Sequence, residues 1–362
     1  LLFCLTGGAL ANFYAQFVFP LLRRMDAETV HDRTLRLLEL GQSGVGRPFL
    51  RKIAGPPIPH KPVQFAGLTF PNVLGMAAGF DKDVRVVLGL AALGFGHIEV
   101  GTLTPRPQAG NPRPRIFRLP EDGAIINQMG FPNGGVLAAL PRLQQLAAKP
   151  HDYIVGVSLG KQKETPLAEA ASDYIAVMQA VYPFADYLAV NISSPNTPGL
   201  RELQGGDYLG QLLGALAAEN QTLAAVHSMA KRPLFIKIAP DLSLAELDEI
   251  LTAVQDHQID AIIATNTTIG RDGLRSPHQQ ETGGLSGLPL REKSTAMIAH
   301  IWRVTNGRLP IIGVGGVRTA ADVQAKLNAG ASLVQLYTSL IYEGPDLLGR
   351  LLRGLAAAPT SR

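Results

Sequence analysis

The chain holds a single cysteine, Cys4, in 362 residues. One thiol excludes an intrachain disulfide and any cysteine-based metal cluster, so the fold rests on packing alone. Charge is sparse as well, at 17% of residues with a net +4. No series of base-stacking aromatics accompanies the basic residues, which argues against a nucleic acid gripped along the molecule. No Gly-x-Gly-x-x-Gly turn follows an early strand, so the signature of a doubly wound dinucleotide-binding sheet is missing. There is neither a Ser-His-Asp set nor a catalytic cysteine. Apolar residues, at 46%, and 38 glycines are plentiful. That mixture suits a large core with many tight strand-to-loop transitions, and the length fits one α/β barrel with appendages.

The charge is unevenly spread. Residues 23–61 carry eight arginines and lysines against four acids, while the rest of the chain balances at 25 against 25. A basic excess confined to one end suggests an anionic surface met there. Upstream, residues 1–22 are uncharged, but Gly7, Gly8, Asn12, Gln16 and Pro20 argue against a comfortable membrane span. Phe13, Tyr14, Phe17, Val18, Leu21 and Leu22 recur at helical spacing ahead of Arg23 and Arg24, the pattern of a helix lying in a membrane interface. Asp26 is the expected N-cap of a second helix that stops at Gly41. An ordinary helical hairpin packed on the main domain is the other reading. A proline-rich linker (Pro56, Pro57, Pro59, Pro62) then leads into the rest.

From residue 62 onward, short apolar strands alternate with amphipathic helices. Strands are predicted at 73–77, 97–101, 154–159, 187–190, 234–238, 261–264, 310–314 and 333–336, with helices such as 84–93, 168–181, 244–255, 320–329 and 346–357 between them. Eight βα units predict a closed (β/α)8 barrel. Long polar insertions at 104–133 and 269–290 follow the second and sixth strands, at the C-terminal mouth where such barrels do their chemistry.

Strand ends supply the candidate site. The fourth opens into Asn191-Ile192-Ser193-Ser194-Pro195-Asn196-Thr197-Pro198-Gly199-Leu200-Arg201, amides and hydroxyls stiffened by prolines that suit a small polar ligand. Lys237 lies inside an apolar strand, where a lysine needs an anionic partner. Gly313-Val314-Gly315-Gly316 after the seventh strand and Thr338 after the eighth form the phosphate cradle common in barrels. Together these features describe a barrel enzyme holding a phosphorylated flat cofactor and a small polar substrate.

Seven motifs then resemble one family. Ala77-Ala78-Gly79-Phe80-Asp81-Lys82, Gly110-Asn111-Pro112-Arg113-Pro114-Arg115, the Asn191–Thr197 loop, Lys237-Ile238-Ala239-Pro240-Asp241, Thr265-Asn266-Thr267-Thr268, Gly283-Gly284-Leu285-Ser286-Gly287 and Gly313-Val314-Gly315-Gly316 look like dihydroorotate dehydrogenase of the quinone-dependent, membrane-associated class 2. The resemblance runs from about Phe13 to the end. It implies oxidation of dihydroorotate to orotate in pyrimidine biosynthesis, with one FMN per chain and a membrane quinone as acceptor.

By the same resemblance Ser194 is the base, where the cytosolic class carries cysteine. Lys82, Asn127, Gln128, Met129, Gly130, Phe131, Asn191, Asn196, Asn266 and Thr267 resemble the substrate contacts. Ala78, Gly79, Thr102, Ser158, Asn191, Lys237, Thr265, Gly287, Gly316, Tyr337 and Thr338 resemble the FMN contacts, and His31 and Arg118 match polar positions near a quinone tunnel. Residues 1–61 would form the membrane and quinone module, and 62–362 the catalytic barrel. A peripheral location on the cytoplasmic face of a bacterial inner membrane follows. Neither a metal nor a nucleic acid is expected, and a monomer is compatible.

The chain departs from the family at Gln128 and Pro132, where Arg and Asn are common, and at Ser158 and Gln162, where Asn is usual. Ser158 predicts a shorter, water-mediated flavin contact. A soluble flavin barrel using fumarate or NAD would want cysteine at 194 and no apolar extension. A flavin- or lipid-binding barrel without turnover would want an unreactive residue at 194 or 82.

Overall fold

The computed structural model describes residues 13–55 and 61–357. The uncharged stretch 1–12 and the linker prolines Pro56, Pro57 and Pro59, read above from sequence, lie outside those described. A π-helical turn at Tyr14–Val18 runs into a short helical turn, Phe19–Leu22, and then α1 (Ala27–Gly41) and α2 (Gly46–Ile53). The Asp26 carboxylate accepts the Thr29 backbone N–H at 2.8 Å, so α1 starts at the predicted cap. Leu35 and Leu38 of α1 and Leu50 of α2 join the main hydrophobic core. The N-terminal helices therefore share the barrel's core.

A hairpin of β1 (Val63–Phe65) and β2 (Leu68–Phe70) comes next. Its Phe65 and Phe70 close the bottom of the barrel. Phe65 meets Phe235 edge to face at 5.5 Å, and Tyr187 stacks on Phe235 at 4.5 Å.

The barrel begins with β3 (Leu74–Met76) and β4 (His97–Leu103). After the insertion strands β5 (Ile116–Leu119) and β6 (Ala124–Asn127) it continues with β7 (Ile154–Leu159), β8 (Tyr187–Asn191), β9 (Leu234–Ile238) and β10 (Ala261–Ala264). Past the insertion strand β11 (Gly284–Gly287) it ends with β12 (Ile311–Val314) and β13 (Leu333–Leu336). Eight strands, β3, β4, β7, β8, β9, β10, β12 and β13, close in that order, and β13 pairs in parallel with β3 through Leu336 and Met76. The predicted (β/α)8 barrel is therefore the observed fold. Helices α3 (Val87–Ala92), α4 (Val136–Ala147), α5 (Ala170–Val181), α6 (Gly206–Val226), α7 (Leu244–Asp256), α8 (Arg291–Val304), α9 (Ala320–Asn328), α10 (Thr338–Glu343) and α11 (Leu347–Ala357) follow the strands.

Two differences from expectation have clear causes. The helix expected from residue 84 starts at Val87, because the Asp81 carboxylate binds the backbone N–H groups of Arg85 and Val86, both at 2.7 Å, and holds a turn there. The polar insertions carry strands the sequence did not signal: β5, β6 and β11 form an antiparallel three-stranded sheet. Leu119, Ala124, Ile126 and Leu285 bury a small core of their own beneath it. Strands of four residues give too short an alternation to outweigh the surrounding Gly and Pro.

Ion pairs tie α1 to the loop after β3 and to the start of β5. Glu28 of α1 receives Arg115 at 2.7 Å, and both side chains are only 8% exposed. Burial works to raise the Glu28 pKa, but the hydrogen bond and charge of Arg115, with Arg113, bring it below its ordinary value. Arg85 and Glu39 make a second, two-bond pair at 2.7 and 2.6 Å.

Candidate active site

At the C-terminal ends of β8 and β10, amides bond to one another. Asn191 donates from Nδ2 to Thr102 Oγ1 at 2.9 Å, and its Oδ1 accepts from Asn266 Nδ2 at 3.3 Å. Asn266 Nδ2 also donates to Ser193 Oγ at 3.0 Å, and Asn196 Nδ2 donates to Asn127 Oδ1 at 3.1 Å. Ser194 Oγ accepts the Asn196 backbone N–H at 3.2 Å, leaving its own proton free to be oriented. Asn196 Oδ1 and Thr197 Oγ1 are buried without partners. Buried polar atoms are normally satisfied, so these two mark room for a polar ligand or water.

The loop carrying Ser194 is held from behind by Arg201. It donates to Ser193 O at 3.0 Å and to Thr267 O at 2.8 Å, and pairs with Asp241 at 2.8 Å. One guanidinium thus ties the β8 loop to the β10 loop. The sequence contained the arginine, but nothing in its spacing tells where a five-donor side chain will reach.

Two lysines face the cavity. Lys82, in the loop after β3, finds no hydrogen-bond partner among the described residues, and burial brings its pKa down to about 8 against the pull of Glu28, Asp83 and Asp32. A deep ammonium without a bonded counter-ion is prepared for an anion. Lys237 of β9 is 5% exposed and lies 3.5 Å from Glu99. The anionic partner expected for an in-strand lysine is therefore present.

Gly315 and Gly316 follow β12. A Cβ on Gly316 would come within 2.4 Å of Arg291 Cα, and its φ is +70°, so only glycine fits. Across from it Thr338 Oγ1 shares a 2.8 Å hydrogen bond with Ser286 Oγ, and Tyr337 Oη donates to Gly79 O at 3.4 Å.

One cavity of about 640 Å³ joins these groups to the N-terminal helices. At the far end its walls are Tyr14, Val18, Leu22, Val30 and His31, with Arg118 donating to Leu22 O at 2.8 Å and also to Met25 O. His31 rests edge-on against Phe80 at 5.2 Å, with Nε2 buried and unpartnered. Burial, with Lys82 nearby, lowers its pKa to about 3, so it is neutral at physiological pH.

Of the residues singled out from sequence, the cavity brings together Ser194, Lys82, Asn127, Met129, Gly130, Phe131, Asn191, Asn196, Asn266 and Thr267. Ala78, Gly79, Thr102, Lys237, Thr265, Gly287, Gly316, Tyr337, Thr338, His31 and Arg118 line it too. Two stand apart. Gln128 points outward and accepts Thr282 Oγ1 at 2.8 Å, because the β6–β11 pairing turns its side chain to the rim. Ser158 is fully buried behind Thr102, 2.9 Å from its hydroxyl, and does not line the cavity. Gln162, at the other departure, supports the Arg106 backbone N–H at 2.8 Å.

Taken together, the closed barrel, the amide-lined mouth and the adjoining apolar passage define a barrel enzyme with a polar substrate end and an apolar end. The profile of the dihydroorotate dehydrogenase family matches residues 61–358. The chain belongs to that family. It is 47% identical to the dihydroorotate dehydrogenase (quinone) of Synechococcus sp. (strain JA-2-3B'a(2-13)), over 95% of this chain and 94% of that protein. To the protein of the same name from Chromobacterium violaceum it is 49% identical, over 93% and 96%. Among solved structures, DHODH of Eimeria tenella in complex with ferulenol superposes with a TM-score of 0.81 at 39% identity, covering 91% of this chain and 90% of that one.

Proposed function

We propose that this chain oxidises dihydroorotate to orotate and passes the electrons to a quinone, with the polar and apolar ends of its single cavity serving the two half-reactions. The continuity of that cavity from Ser194 to His31 is the observation that carries the reading. The relatives are named for this quinone-linked activity, and the family's dehydrogenases depend on a flavin. The chain is accordingly an oxidoreductase of pyrimidine biosynthesis.

For the flavin we choose FMN, one per chain. The residues fit it: Gly316 leaves a backbone cradle that a Cβ would fill, Lys237 presents a cation to the cavity, and Gly79 borders it without a side chain. FMN, when bound, would take the hydride from C6 of dihydroorotate and return two electrons to the quinone. Gly287, Gly316 and Thr338 would hold its phosphate side, while Ala78, Gly79, Thr102, Thr265 and Tyr337 would frame the ring.

Lys82 would meet the substrate carboxylate. Asn127, Asn191, Asn196, Asn266 and Thr267 would match the donors and acceptors of its cyclic urea, and Met129, Gly130 and Phe131 would close over it. Ser194 Oγ would accept the C5 proton. A serine hydroxyl is a weak base, so the proton must leave through a neighbour or an ordered water; the unpartnered Thr197 Oγ1 is a polar stop in the same loop.

At the other end, His31 and Arg118 would orient the quinone head. Residues 1–61 would act as the membrane and quinone module beside the 62–362 barrel. Among the described residues no helix is long and apolar enough to cross a membrane. Phe17, Leu21, Leu37 and Leu40 are 58, 65, 69 and 75% exposed, next to the basic excess of residues 23–61. That combination suits a helical face resting on an anionic membrane, on the cytoplasmic side of a bacterial inner membrane. The test is direct: the purified protein should be yellow, bleach when dihydroorotate is added without oxygen, and recover colour with a quinone. Colourless protein, or colour that dihydroorotate leaves untouched, would refute the reading.

A further inference from the structure

Between the aromatic plug and the cavity the barrel contains a polar layer that the roles above leave unused. Its centre is Glu99 of β4, whose side chain has no solvent exposure. Two neutral donors meet the same oxygen: Tyr187 Oη donates to Glu99 Oε2 at 3.1 Å, and Gln335 Nε2 donates to it at 2.9 Å. The other oxygen, Oε1, accepts no hydrogen bond and faces Lys237 Nζ at 3.5 Å. The arrangement is directional, with one carboxylate oxygen anchored by neutral groups and the other turned to the cation.

Other charge in this layer is scarce. His97 is buried against Phe70, and burial lowers its pKa to about 3, so it stays neutral. Tyr187 keeps its proton, since burial and then the Glu99 charge push its pKa well up. Lys237 lines the cavity on its other side, as does Gln335. The ammonium therefore stands between a buried carboxylate and the place where the flavin would lie.

We propose that Glu99 is a positioning residue that sets how much positive charge Lys237 presents to the flavin, and through it the flavin's reduction potential. This rests on the flavin reading above. In a water-poor interior a charge at this distance is weakly screened. Lys237 alone would stabilise the negative charge that two-electron reduction places on the flavin, and so would raise the potential. Glu99 offsets part of that stabilisation. The two electrons that arrive with the C6 hydride of dihydroorotate can then move on to the quinone, which takes up two protons to become the quinol. A protein tunes a flavin by such charges near the ring.

The test is an equilibrium redox titration of FMN in the intact holoenzyme against indicator dyes, for wild type and Glu99→Gln. The isosteric amide keeps the volume and removes the charge. Reduced flavin should gain at least about tenfold in binding relative to oxidised flavin, which is a rise of about 30 mV for a two-electron couple. In a Lys237→Met background the same Glu99 substitution should have little further effect, because it acts through the lysine. An unchanged potential, or an equal shift without Lys237, would overturn the proposal. Should Glu99→Gln fail to fold, Tyr187→Phe decides. It withdraws one hydrogen bond from the carboxylate, strengthens its field at Lys237, and should lower the potential; no shift overturns the proposal. A purely structural Glu99 would alter melting temperature and leave the potential in place. Protein that binds FMN but is not bleached by dihydroorotate would instead refute the functional reading.

Discussion

Around Ser194 the cavity wall is a mesh in which Asn191, Thr102, Asn266, Asn196 and Asn127 bond to one another. Around His31, Tyr14, Val18, Leu22 and Val30 dominate the wall, and Phe17 and Leu21 lie exposed nearby. The first end is preorganised: its polar groups are fixed before a ligand arrives, so little is lost in ordering them. The second offers few directional contacts and suits a ligand recognised by apolar area. A small polar substrate and a lipid-soluble oxidant can thus share one cavity without competing for the same chemistry.

The apolar end is built on the N-terminal helices, and breaking the Glu28–Arg115 pair that ties α1 to the start of β5 should have the largest effect. Glu28→Ala leaves a buried guanidinium without its carboxylate, a loss of about 3–5 kcal/mol, read as a lower denaturant midpoint. The folded Glu28 pKa lies below its unfolded value of 4.5. Its stabilisation is therefore full above that pH and lost as pH falls through the folded pKa. The gap between wild type and variant should narrow in acid; a gap that widens there would contradict the assignment.

Next in size, Ser194→Ala should retain flavin yet slow its reduction by dihydroorotate by about 100-fold or more. Rapid mixing gives this rate separately from quinone turnover, so the defect should be confined to the polar end. Reduction at the wild-type rate would remove Ser194 from the base position.

Lys82 sharpens the comparison through pH. Burial brings its pKa down to about 8, so the charge that meets a carboxylate is present below that pH and lost above it. The KM for dihydroorotate should be flat below about pH 8 and then climb, by about tenfold per pH unit at most. The stability sign is opposite. Burying the ammonium destabilises the fold below about pH 8, and the penalty fades as pH rises toward the ordinary lysine pKa of 10.5. A KM that is level through pH 9 would exclude charged Lys82 as the carboxylate partner.

The smallest effect belongs to the apolar end. Leu21→Asp should weaken binding to anionic vesicles by about tenfold and slow only long-tailed quinones. Dihydroorotate should bleach the variant's flavin at the normal rate. If vesicle binding is unchanged, another face meets the membrane.

Much of this was legible in one dimension. Strand signals such as 154–159 and 234–238 match β7 and β9 residue for residue, because a buried parallel strand is a short continuous apolar run. The polar residues that end those runs sit at the mouth, since every strand of a parallel barrel delivers its C-terminal end to the same face. The fold and the polar groups at the barrel-strand ends follow from that local pattern. Where chain segments meet was decided only in three dimensions. Arg115 reaches Glu28 across 87 positions, and Gln335 reaches Glu99 across 236. Gln128, adjacent to Asn127 in sequence, was turned to the rim by the pairing of β6 with β11. The insertion sheet hid because its strands are only four residues long. Periodicity reports which face of an element is apolar, but barrel closure selects the partners that face acquires. Which charge stands beneath Lys237 is therefore a property of the closed barrel, even though every residue involved was visible in the chain.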